Sequence, residues 1–133
     1  MGARIMSLLG GPCTIGPGTV VGVKLKEFIR AHHDIINNTN NCKYMAKAKK
    51  YYESLTQRCM TNNITVDFFA FTLDQFGLVE MQTLPKQTGG YIIFHELFDS
   101  PMFQDSFANI FETDENNEMP IAFSGKIQVK MSK

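Results

Sequence analysis

Between Ile64 and Tyr91 the chain spells out a strand, a crossover and a second strand, and no other stretch restricts the fold as much. The run Ile64-Thr-Val-Asp-Phe-Phe-Ala-Phe-Thr72 reads as a buried strand, rich in β-branched and aromatic residues. It leads through Leu73-Asp-Gln-Phe-Gly77 into Leu78-Val-Glu-Met-Gln-Thr-Leu84, a short helix that Pro85 is expected to end. Thr88-Gly-Gly90 then turns the chain into a strand starting at Tyr91. This order predicts a parallel α/β sheet. Open sheets of that kind place binding groups just past the carboxyl ends of their strands, where Asp74 and Gln75 fall.

The flanking segments fit the same layer. Ala3 to Leu9 is apolar enough for a strand covered on both faces, and the following loop, Gly10 to Gly18, cannot be helical. Thr19 to Asn41 reads as a long irregular connection, the kind that in a compact domain serves contact or function; Leu25 to Asn41 is the favoured contact region. A long helix follows, with Tyr44, Ala48, Tyr51, Leu55 and Cys59 on one face, Asn40 or Asn41 as its cap and Asn62-Asn63 as its end. Lys43, Lys47, Lys49, Lys50 and Arg58 lie off that stripe and read as a solvated basic face. Ser100 caps and Pro101 opens a last helix through Phe111, with Phe103, Phe107, Ile110 and Phe111 turned inward. From Ile121 to Met131 apolar and polar residues alternate strictly, which predicts a strand wet on one face, suited to an edge or to a separate β-sheet module. With a strand at its very start and another at its end, the chain reads as a piece of a larger architecture.

Composition excludes more than it selects. The 133 residues carry 13 acidic and 13 basic side chains, so no global charge argues for nucleic acid or an anionic membrane. Cys13, Cys42 and Cys59 are scattered and odd in number, with no C-x-x-C pair, and read as reduced thiols. The sequons Asn37-Asn-Thr39 and Asn63-Ile-Thr65 are expected by chance in an asparagine-rich chain. No apolar run reaches the roughly 20 residues of a membrane helix, and no basic-then-apolar leader opens the chain. Eleven Phe and four Tyr with no Trp could suggest base stacking, but Phe68, Phe69 and Phe71 sit in an apolar strand and read as core.

The chemical motifs fail in detail. A phosphate loop from Gly11 reaches Gly16 with the right gap, yet Pro17-Gly18 stands where Lys and Ser or Thr must be. The dinucleotide fingerprint through Gly16 and Gly18 lacks its third glycine at Val21. His32, His33 and His95 offer no metal geometry, because adjacent histidines on an extended segment point apart. Asp34 beside His33 lacks a nucleophile in a strained turn. Asp74 could join a divalent-cation site, but no Asp-x-Ser-x-Ser loop is present to complete it. No catalytic, cofactor-binding or metal-ligating residue is therefore assigned.

One resemblance runs through nearly the whole chain. In order, Ala3-Arg-Ile-Met, Gly10-Gly-Pro, Gly16-Pro-Gly, Val20-Val-Gly, Ile29-Arg, His33-Asp-Ile35 and Lys43-Tyr-Met lead to Leu73-Asp-Gln, Gly77-Leu, Glu80-Met, Thr88-Gly-Gly-Tyr91 and Lys126-Ile-Gln-Val-Lys. Together they resemble the trunk domain of the Sec twenty-three family, the GTPase-activating inner-coat subunit of COPII vesicles. The chain departs from that pattern at the Asn37 to Asn41 run and at Phe76, where the family commonly has a small polar residue.

The resemblance implies a partial doubly wound parallel sheet of von Willebrand A-like type with flanking helices. Residues 1–120 would belong to the trunk and 121–133 to an edge strand leaving towards a β-sheet module. It also implies a cytosolic protein, peripheral on endoplasmic reticulum and COPII vesicle membranes, partnered by the cargo-binding inner-coat subunit and the Sar GTPase, with no nucleic acid. The family's zinc ligands and the arginine that enters the GTPase site lie outside this segment. Arg4, Arg30 and Arg58 match no such position, and no enzymatic activity is expected. The function expected is that of a coat scaffold. The alternatives are an independent flavodoxin-like binder of a small ligand near Gly10 to Gly18, and a divalent-cation adhesion domain using Asp74.

Overall fold

The computed structural model describes residues 2–23, 29–37, 40–73, 75–119, 125 and 128–131. Three strands, β1 (Ala3–Leu9), β2 (Ile64–Phe71) and β3 (Ile92–His95), form an all-parallel sheet in the order β1-β2-β3. β1 and β2 run in register from Ala3 opposite Ile64 to Leu9 opposite Ala70, and β2 and β3 from Phe68 opposite Ile92 to Phe71 opposite His95. Five helices accompany them: α1 (His32–Asn37), α2 (Met45–Thr61), α3 (Leu78–Met81), α4 (Thr83–Thr88) and α5 (Pro101–Asn109). The α/β class with an open parallel sheet is as the sequence predicts.

β2 is the central strand, and its alternation builds two cores. Val66, Phe68 and Ala70 face Ala48, Tyr52 and Cys59 of α2, with Met81 and Leu84 of α3 and α4 closing that side. Phe69 faces the other way, onto Phe103 of α5 and Ile110. Its ring meets Phe107 edge-on at 5.3 Å, and Phe71 meets Phe103 at 4.8 Å with the planes nearly perpendicular. Such edge-to-face pairs add about 0.5–1.5 kcal/mol to what area burial alone supplies.

A carboxylate interrupts the apolar run of β2. Asp67 is fully buried and accepts Arg4 Nε at 2.6 Å, Arg4 Nη2 at 3.0 Å and the Tyr91 backbone N–H at 2.8 Å. The Arg4 guanidinium also lies 4.9 Å from the centre of the Tyr91 ring. The hydrogen bond to Asp67 is the largest influence raising the pKa of Arg4. A buried charge is tolerable only when paired and hydrogen-bonded, and here the donors come from both neighbours of β2.

Several expectations need correction. Among the described residues β1 is not covered on both faces: it is an outer strand of the three, with Ile5 and Leu8 exposed. The segment read as irregular contains α1 and a 3-10 turn at Asn40–Cys42; Asp34 accepts the Ala31 N–H at 2.8 Å and so starts α1. His32 and His33 are therefore helical rather than extended. On α2 the buried face carries Tyr52 and Thr56, while Tyr51 is exposed. Neither Asn40 nor Asn41 caps α2; Tyr44 holds that position without a side-chain bond, and Asn41 bonds Asp34. At the other end Asn63 takes the left-handed conformation and Asn62 bonds the Arg58 carbonyl.

Pro85 does not end a helix. It stands in the first turn of α4, where a missing N–H costs nothing, and residues 78–88 divide into two short helices. α5 stops at Asn109, with Ser100 at its cap position but making no side-chain cap bond, and Phe111 is exposed. Leu25 to Phe28, Asn38 and Thr39 of the favoured contact region lie outside the described residues, as does Asp74. So does most of the strand expected over residues 121–133; Gly125 and residues 128–131 have no regular structure.

Gly90 shows how tightly α4 returns the chain to the sheet, since a Cβ there would overlap the Val66 carbonyl. The obstacle is backbone within β2 and cannot rotate away. Gly90→Ala is expected to lower the unfolding free energy by about 1–3 kcal/mol or more, read from the shift in urea midpoint at constant slope.

Candidate functional site

At the carboxyl ends of β2 and β3 the surface opens into a cavity of about 390 Å³. Leu73, Gln75 and Phe76 reach it from the segment after β2, Ile92 and Phe94 from β3, and Leu78 and Val79 from the start of α3. Arg30, His32 and Ile35 close the side towards α1. Gln75 thus stands where the parallel-sheet argument placed it. The walls are mainly apolar. Phe76 is buried and stacks on Phe94 at 5.9 Å, so one of the positions that depart from the family pattern lines the cavity.

The loop into α3 is set by Gly77, which has φ of +97°, a conformation that side-chain-bearing residues rarely adopt. Its missing Cβ leaves room for Val20, which is buried against it. Val20 in turn donates its N–H to the Cys13 carbonyl at 2.8 Å, folding the glycine-proline loop back upon itself. Residues 10–18 do not line the cavity.

Behind the cavity Arg30 forms an ion pair with Glu80 of α3, and both side chains are almost wholly buried. Unlike Asp67, this pair is incompletely served: Arg30 Nε and Nη1 and Glu80 Oε1 have no partner among the described residues. Sequence reasoning considered Arg30 only as a catalytic arginine and set it aside. Glu80 was read as part of a short helix, and nothing in the linear order joins residues 50 positions apart.

The remaining sequence candidates are dispersed. His33 contacts the Asn37 side chain at 3.1 Å, His32 edges the cavity, and His95 packs against the Phe103 ring on the opposite face of the sheet. No group of three or more His, Cys, Asp or Glu among the described residues is arranged to hold a metal ion. Cys13, Cys42 and Cys59 are free thiols. Lys43, Lys47, Lys50 and Arg58 are exposed, in keeping with a solvated face on α2.

Tyr52 anchors the loop to α2. Its hydroxyl lies 3.5 Å from the Gly18 carbonyl, and burial above all pushes its pKa from 10.0 up to about 12. Above pH 10 the unfolded chain loses this proton while the folded chain keeps it, so stability is complete below that pH and falls towards pH 12. Tyr52→Phe should flatten this alkaline loss, seen by comparing urea midpoints at about pH 8 and about pH 11.

The Arg30 and Glu80 pair yields a separate expectation. Arg30→Met or Glu80→Leu alone strands a buried charge and should cost about 3–5 kcal/mol, whereas the double variant should restore most of that loss. A double-mutant cycle in urea measures the difference.

One comparison with known families gives a match. The model of the Sec23/Sec24 trunk domain aligns with residues 1–113, a span that contains every strand and helix described above.

Proposed function

This chain belongs to the Sec23/Sec24 trunk domain family, and from that premise we propose that it is a scaffold block of the COPII inner coat acting in transport from the endoplasmic reticulum to the Golgi. The carrying observation is the extent of the match, which runs from β1 past the end of α5. Membership of this family of coat proteins supports a scaffold role, with other coat proteins as partners. At the finer level, the partners are the cargo-binding inner-coat subunit and the Sar GTPase. The working place is the cytosolic surface of the endoplasmic reticulum, reached through the coat. No helix among the described residues is long and apolar enough to cross a membrane, which suits attachment through partners.

The chain contributes surface rather than chemistry. An arginine that stabilises charge on a transferred phosphoryl group must present a free guanidinium to the nucleotide. Arg4 is engaged by Asp67 and Arg30 by Glu80, which favours structural work for both. The wall of the cavity at the carboxyl ends of the strands is mainly apolar, with Leu73 and Phe94 exposed at its rim, as suits contact with a protein neighbour.

Reconstitution tests this reading. The purified chain should be retained by the immobilised cargo-binding subunit and should leave GTP hydrolysis by Sar unchanged when added alone. Acceleration of hydrolysis by the chain unaided, or no retention on the coat subunit, would overturn it.

A further inference from the structure

An apolar wall and a buried guanidinium meet in the cavity at the carboxyl ends of β2 and β3. Its volume of about 390 Å³ falls in the range of small-molecule sites, which combine mainly apolar walls with a few fixed polar groups. Phe94 is 51% exposed and backed by the near-parallel ring of Phe76, with 22° between the planes, so one side of the cavity is aromatic. A planar ring packs well against such a surface.

Arg30 supplies the polar end. Its side chain is 2% exposed and lines the cavity, with Nη2 donating to Glu80 Oε2. Nε and Nη1 are then buried donors with no acceptor among the described residues. The arginine is already desolvated in the folded chain, so an acceptor entering the cavity gains a hydrogen bond at little further desolvation of the protein. The ion pair also selects the ligand's charge. Glu80 cancels the charge of the guanidinium, and a second carboxylate would crowd Glu80 Oε1, which is itself buried and unserved. A cation meets no acid among the described lining residues. An uncharged carboxamide fits both ends of this demand: its carbonyl accepts from Arg30, and its N–H groups can serve Glu80 Oε1 or the side-chain carbonyl of Gln75, which also lines the cavity.

We infer that this cavity is a binding site for a small, uncharged aromatic carboxamide, held by its carbonyl oxygen at Arg30 and by its ring against Phe94 and Phe76. The inference goes beyond the scaffold reading and does not rest on it.

Benzamide, benzoate and benzylammonium share a ring and differ in charge, so titrating each into the isotope-labelled 133-residue chain, followed by NMR, is the test. Benzamide should saturate with a Kd on the order of 1 mM and move the backbone amide signals of Gln75, Phe76, Ile92 and Phe94, while the two ions bind about tenfold more weakly or worse. The double variant Arg30→Met, Glu80→Leu removes both charges together and should lose about tenfold in affinity for benzamide while keeping a folded spectrum. The comparison of the three probes on the unaltered chain stands without that variant. Benzoate or benzylammonium binding as tightly as benzamide overturns the inference, as do shifts centred elsewhere, failure of benzamide to saturate, or a folded double variant of unchanged affinity. Retention on the coat subunit reads the scaffold assignment separately, so either conclusion can fail alone.

Discussion

The buried carboxylate of Asp67 is the interaction on which the sheet depends. It stands on the central strand, draws the Arg4 guanidinium from β1 across one side, and takes the Tyr91 N–H at the threshold of β3 on the other. Hydrophobic burial is non-directional and would tolerate a strand sliding along its neighbour, whereas a carboxylate with three fixed donors does not. A one-residue slip of β1 would carry Arg4 to the α2 side and strand a charge. Register, strand order and the entry angle of β3 are therefore held by one polar group, while the apolar clusters on either face supply the bulk of the stabilisation.

The second buried ion pair has another character. Arg30 and Glu80 join the segment before α1 to the start of α3, around the cavity at the carboxyl ends of the strands. With three polar atoms unserved among the described residues, the pair is a poor source of stability and a good device for fixing one arrangement of these two segments. A rigid rim of this kind suits a building block. Polar groups lock the shape at two places, Arg4 with Asp67 on the sheet itself and Arg30 with Glu80 beyond the carboxyl ends of its strands.

What the sequence disclosed followed the strength of its periodicity. β1 and β2 emerged within a residue because their apolar runs are continuous, and α2 because its repeat lasts four turns. The face of α2 was misjudged by one residue because Tyr51 and Tyr52 are chemically equivalent in a pattern, and only packing against β2 selects the second. α1 escaped notice since it is short and polar and buries no residue of its own. Pro85 misled because proline both ends and begins helices, and the chain around it contains no further signal to decide. The cavity was legible in outline through Gln75, but its rear wall was not, because pairing between Arg30 and Glu80 is a long-range outcome. Asp67 could have been found: a lone acid inside an apolar strand must have a cationic partner, and Arg4 is the only cation in β1.

The great separation of β1 from its partner strand has a consequence in the cell. Arg4 and Asp67 are 63 residues apart, so β1 leaves the ribosome well before the β2 strand that it pairs with. At roughly 5–20 residues per second, translation leaves this apolar strand waiting about 3–13 s. Nascent chains in that interval would expose Ile5, Met6, Leu8 and Leu9 together, a natural target for the chaperones that greet emerging polypeptides.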